Sequence, residues 1–85
     1  MATKAKLEAC VAARRRALLA LRSIGPCSNR QLAKALSVPP PDCYLLVANL
    51  RNRGWVIRLG DESYDVTAEG RRVLLVGEKY QSPLV

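Results

Sequence analysis

Histidine and phenylalanine are absent from this 85-residue chain, and there is one Trp beside three Tyr. Without His the usual general base is missing. The five Gly stand singly at turn-like places, so there is no Gly-rich phosphate loop. The carboxylates Asp61, Glu62 and Asp65 fall on an expected hairpin tip and read as solvated, not as an enclosed acid/base pair. No enzyme is expected, and no cofactor. Cys10, Cys27 and Cys43 are odd in number and widely spaced. Zinc needs four ligands, usually in close pairs, so neither a metal site nor a disulfide framework is expected, and the thiols read as small buried groups in a reducing compartment. The apolar runs fall far short of the ~20 residues that span a membrane. Glu8 and Arg14-Arg15-Arg16 interrupt any signal-peptide core. The protein is expected in the cytoplasm.

What the chain does have is a core-forming share of apolar residues, 49%, which argues for folding. Leu, Val, Ala and Ile must fill that core. The net charge is +7 and unevenly spread. Residues 1–60 hold eleven Lys/Arg against Glu8 and Asp42, a net of +9, while residues 61–85 hold three against five, a net of −2. Such a basic stretch favours a polyanionic partner over a face that is merely solvated.

Residues 3–23 contain strong helix formers and neither Gly nor Pro, with Leu7, Val11, Leu18 and Leu21 at helical spacing. A helix there, over about residues 4 to 23, runs ~30 Å, longer than so small a core covers. Leu7, Cys10 and Val11 are therefore expected to meet a second copy of the chain, helped by Leu74 and Leu75 near the other end. Ile24-Gly25-Pro26 stops the helix.

Ser28-Asn29-Arg30-Gln31 is a capping box, opening a helix over 29–36 whose inner face is Leu32, Ala33 and Leu36. Pro39, Pro40 and Pro41 read as an extended turn, with Asp42 capping a helix over 43–53 that closes on Gly54. At 100° per residue Cys43, Leu46, Val47 and Leu50 face inward. Tyr44, Leu45, Ala48, Asn49, Arg51 and Asn52 face outward. Trp55 to Leu59 is strand-like, Gly60 to Ser63 a turn, and Tyr64 to Val66 the return strand. Trp55 is expected in the core. Thr67 caps a last helix over 68–76, ended by Gly77. Two helices at an angle, followed by a hairpin, predict a mostly α (α+β) winged helix-turn-helix with a long N-terminal helix and a two- or three-stranded wing sheet. The expected organisation is one domain over 1–85, with a core at 14–76, a helical extension at 1–13 and a loose tail at 77–85.

Three phrases carry a family resemblance: Arg30-Gln31-Leu32-Ala33-Lys34-Ala35-Leu36, then Val47-Ala48-Asn49-Leu50-Arg51-Asn52-Arg53-Gly54-Trp55-Val56, then Val66-Thr67-Ala68-Glu69-Gly70-Arg71. Together they resemble winged-helix transcriptional regulators of the MarR/PadR kind over about residues 14 to 76. The resemblance implies double-stranded DNA as partner, so the homodimer expected from the N-terminal stripe would associate with the nucleoid when DNA is bound. It implies that the second motif helix enters the major groove, with Tyr44, Leu45, Ala48, Asn49 and Asn52 toward the bases. Ser28, Asn29, Arg30, Arg51 and Arg58 would then hold phosphates. The chain departs from the family at Leu45 and Ala48, which offer no hydrogen bond, and at an acidic wing with Arg58 as its one cation. The competing expectation is a winged helix serving as a protein-interaction adaptor, plasmid- or virus-encoded for instance, that presents Tyr44 and Leu45 as anchors. RNA binding is a third.

Overall fold

The computed structural model describes residues 2–78, with side chains described from residue 11 onward. Helix α1 spans Ala2–Ile24, 23 residues and about 35 Å. Its inward stripe is Arg14, Ala17, Leu18 and Leu21, all buried, at the i, i+3, i+4, i+7 spacing of one helix face. Val11 and Ala12, earlier on the helix, are exposed. Gly25, at φ 91°, lets the chain leave the helix, with its N–H on the Leu21 carbonyl at 2.8 Å.

Strand β1 is only Cys27–Ser28, and Ser28 is at once its last residue and the cap of helix α2, Asn29–Leu36. Both halves of the capping box form. The Ser28 hydroxyl accepts from the Gln31 N–H at 3.2 Å, and the Gln31 Oε1 accepts from the Ser28 N–H at 2.9 Å. Leu32, Ala33 and Leu36 are buried as their spacing requires. The helix ends on Ser37 in the left-handed region, φ 59°.

Helix α3 corrects the sequence-based boundary. It spans Pro40–Asn52, beginning three residues before Cys43. Pro39 takes the cap position without a side-chain hydrogen bond, and Asp42 lies inside the first turn, so it does not cap the helix. Proline is compatible with the first helical positions because the amides it lacks have no intrahelical acceptor there. Asp42 still complements the positive end of the helix from within that turn. Cys43, Val47 and Leu50 are buried and Leu46 packs partly against the core.

Strands β2, Val56–Arg58, and β3, Ser63–Val66, form the wing hairpin, and β3 lies between β1 and β2 in an antiparallel sheet of three. Val56 pairs Val66, and Cys27 pairs Tyr64. Helix α4, Ala68–Val76, starts under a Thr67 cap. The Thr67 hydroxyl accepts from the Gly70 N–H at 3.0 Å and donates to the Gly54 carbonyl at 2.7 Å. One threonine thereby starts α4 and ties it to the turn that ends α3. The core gathers Leu18, Leu21, Leu32, Leu50, Trp55 and Val73 among others from all four helices and the sheet.

The arginine run Arg14-Arg15-Arg16 holds α1 to the rest of the fold. Arg14 is 8% exposed and forms a fork onto Glu78, Nε to Oε2 at 2.9 Å and Nη2 to Oε1 at 2.8 Å. Arg15 donates to the Leu74 carbonyl and Arg16 to the Leu36 carbonyl, each at 3.2 Å. Of the segment expected to be a loose tail, Glu78 is thus held by this pair, and residues 79–85 lie outside the described residues. No described helix is long and apolar enough to cross a membrane.

Candidate nucleic-acid interface

Helix α2 ends the reach of its capping box at Gln31, so the amides of its first two positions, Asn29 and Arg30, have no intrahelical acceptor. Both residues line a groove of about 680 Å³ bounded by the starts of α2 and α3, the outer side of α3 and the wing. Ser28, Asn29, Arg30, Tyr44, Arg51 and Arg58 all line it, so one concavity unites six of the ten residues expected from sequence to contact DNA. A second, shallower hollow of about 390 Å³ continues along α3 to the wing, between Ala48, Arg51, Asn52 and Arg58. Arg51 and Arg58 belong to both.

Helical spacing explains this grouping. Tyr44, Ala48 and Arg51 stand at i, i+4 and i+7, one strip of α3 turned toward the wing. Leu45 and Asn49 lie on the flank turned away, outside both hollows. Leu45 is 68% exposed and Tyr44 is 55% exposed. The Asn49 Oδ1 accepts from Arg53 Nε at 2.9 Å, which holds its amide in place while leaving its NH₂ and a second lone pair. Arg53 in turn lies over the Trp55 ring, 5.2 Å from its centroid. Trp55 is buried, as its position under the motif predicts.

The arginines divide by occupation. Arg14, Arg15, Arg16 and Arg53 are engaged within the molecule. Arg30, Arg51 and Arg58 are exposed and make no side-chain hydrogen bond or ion pair among the described residues. Arg22 and Arg71 are likewise exposed and without such a bond among the described residues, but they lie outside the groove that Arg30, Arg51 and Arg58 share. Ser28 and Asn29 are present but occupied: Ser28 in the capping box, Asn29 in a bond from its Nδ2 to the Pro40 carbonyl at 3.1 Å that joins the starts of α2 and α3. Sequence inspection missed Glu62 and Tyr64, which also line the groove. Tyr64 reaches it from β3 and Glu62 from the turn before that strand, and no local pattern in the sequence marks the pair.

The residues expected at a dimer contact are distributed unevenly. Val11 is exposed, and Leu75 is 81% exposed. Leu74, by contrast, is buried in the core against α1, because α4 turns that side inward, so it has no face left for a partner. The side chains of Leu7 and Cys10 lie outside the described residues. Cys27 and Cys43 are buried free thiols. Burial, and next the charge of Asp65, push the Cys27 thiol up. Burial with a contribution from Cys27 pushes Cys43 to about 11. Among the described residues no group of His, Cys, Asp or Glu is arranged to hold a metal ion.

No family model and no curated protein matches the sequence. Solved structures do match the fold. The reduced form of MarR from E. coli aligns with a TM-score of 0.74 at 26% identity, over 80% of this chain and 51% of that one. The oxidised form of the same protein gives 0.72 at 25% identity, over 80% and 52%. CouR, a transcriptional repressor solved bound to p-coumaroyl-CoA, gives 0.71 at 22% identity over 96% and 69%, a likeness of fold alone. The structural neighbours are MarR-family winged-helix transcriptional regulators, and the chain spans about half the length of the MarR chains it matches.

Proposed function

We propose that this chain is a small DNA-binding transcriptional regulator that lays α3 in the major groove and grips the flanking phosphates with Arg30, Arg51 and Arg58. The observation that carries this reading is a convergence: Arg30, Arg51 and Arg58, three exposed arginines with no side-chain hydrogen bond or ion pair among the described residues, line one groove beside the start of α2 and the outward strip of α3. A row of fixed cations next to a helix face suits a duplex, whose phosphates flank the groove that the helix enters. Ala48 and Asn52 face the bases from the wing side of α3, and Leu45 and Asn49 from the other. Asn49 is the residue suited to adenine, through its NH₂ and its remaining lone pair. The protein acts in the cytoplasm and joins the nucleoid when bound.

Fluorescence anisotropy with duplex DNA tests this. Arg30→Ala and Arg51→Ala should weaken binding alike on every sequence. Asn49→Ala should narrow the gap between a selected target and random duplex by about 1–3 kcal/mol. No binding to any duplex at low salt, together with capture of a protein that Tyr44→Ala or Leu45→Ala abolishes, would instead favour the adaptor reading.

The same proposal includes a homodimer built on the N-terminal part of α1, through Leu7, Cys10 and Val11, with Leu75 contributing from α4. Support comes from the exposure of Val11 and Leu75 on neighbouring helices and from the absence of a buried residue on α1 before Arg14 among the described side chains. Light scattering at tens of micromolar should report a dimer. A Val11→Glu/Leu75→Glu variant should run as a monomer, and an unchanged mass for that variant would reject the contact.

A further inference from the structure

The wing holds three carboxylates, and they are not equivalent. Asp61 is engaged inside the turn, where its Oδ1 accepts from the Ser63 N–H at 3.3 Å and from the Ser63 hydroxyl. Asp65 accepts from the Val66 N–H at 2.8 Å, is half-buried, and acts electrostatically on Cys27. Glu62 is exposed and makes no side-chain hydrogen bond or ion pair among the described residues, yet it lines the same groove as Arg30, Arg51 and Arg58. Its backbone sits at φ 67°, in the left-handed region that suits Gly or Asn and costs a longer side chain. A carboxylate therefore stands in a strained position that glycine would occupy with less strain, facing a cationic groove without pairing to any of its cations.

Resting on the DNA-binding reading above, we propose that Glu62 is an affinity-limiting residue of the interface, whose charge opposes the phosphates that the three arginines attract. A phosphodiester entering the groove meets three guanidinium groups and one fixed carboxylate. Across several ångströms of partly screened solvent, one such charge changes affinity several-fold, and salt reduces the effect. Glu62 is the one acid of the wing that lines the groove, so its charge acts on an entering phosphate at the shortest range. Asp61 and Asp65 keep their charges but lie outside the groove lining, so they act from farther off and through more screening.

The experiment is an anisotropy titration with a random duplex at about 50 mM and about 200 mM salt, using the full chain as wild type and as Glu62→Gln, Glu62→Gly, Glu62→Asp and Asp61→Asn. Glu62→Gln and Glu62→Gly should both tighten binding, roughly 3- to 10-fold at the lower salt and less at the higher. Glu62→Asp should bind like wild type, and Asp61→Asn should stay within about twofold of it. Denaturation midpoints separate strain from charge: only Glu62→Gly should gain stability, while the gain in DNA affinity is common to Gly and Gln. Wild-type binding that Glu62→Gln leaves unchanged would overturn this inference and leave DNA binding standing, as would tightening by Gly alone. If neither wild type nor any variant binds duplex at the lower salt, both the inference and the reading beneath it are rejected.

Discussion

Gly70 lacks a side chain because there is no room for one. A methyl group there would collide with the Trp55 carbonyl oxygen and with Val66 Cγ2, at the point where the start of α4 presses on the root of the wing. The prediction runs against helix propensity, which ranks Ala above Gly. Gly70→Ala should destabilise the fold by roughly 1–3 kcal/mol in urea denaturation, and a stabilised variant would contradict the packing described. Cys43 gives a second test at this scale. Its folded thiol titrates near 11 against an ordinary value of 9.0, so the folded state holds the proton that the unfolded state loses first. The contribution of Cys43 to stability should be constant below pH 9 and be lost between about pH 9 and pH 11, by an amount on the order of 1–3 kcal/mol. In a Cys10→Ser background, iodoacetamide at pH 8 should leave Cys27 and Cys43 unmodified until denaturant is added. Rapid native alkylation of Cys43 would refute its burial.

At the scale of elements, local chemistry decided what could be read in advance. Helices α2 and α4 match their expected bounds, 29–36 and 68–76, because each carries its start signal in its own cap, Ser28 with Gln31 and Thr67 with Gly70. The start of α3 did not match, because Pro40 and Pro41 look like breakers in sequence and become helix openers once Pro39 takes the cap. Strand β1 has two residues and no periodicity to detect. The roles of Arg14, Arg15 and Arg16 were invisible for another reason: their partners Glu78, Leu74 and Leu36 lie 64, 59 and 20 residues away. What looked like a charge run is a set of clamps across α1, α2 and the end of α4. Glu78→Ala removes the carboxylate from a nearly buried guanidinium and should cost roughly 2–4 kcal/mol of stability, with Glu78→Gln costing less because it keeps an acceptor. Equal midpoints for wild type and Glu78→Ala would show that the clamp contributes nothing.

For the molecule as a whole, the winged helix was legible from element order and the three motif phrases, and the structural neighbours agree. The candidate site was legible only in part. Arg30, Arg51 and Arg58 were named from sequence, but their convergence depends on how β2 crosses beside α3, which no local pattern encodes. The overall charge of +7 could not separate cations that serve the fold from cations left to a partner. The salt dependence of DNA binding distinguishes the two kinds of cation. Log K for a random duplex should fall linearly with log salt, with a slope near −0.9 per phosphate neutralised. The Arg30→Ala/Arg51→Ala/Arg58→Ala variant should lose roughly two to three units of that slope, while an Arg15→Ala/Arg16→Ala variant, whose guanidiniums are turned to backbone carbonyls, keeps the wild-type slope. A triple variant with an undiminished slope, or a wild type that ignores duplex DNA at low salt, would show that these three arginines do not hold phosphates.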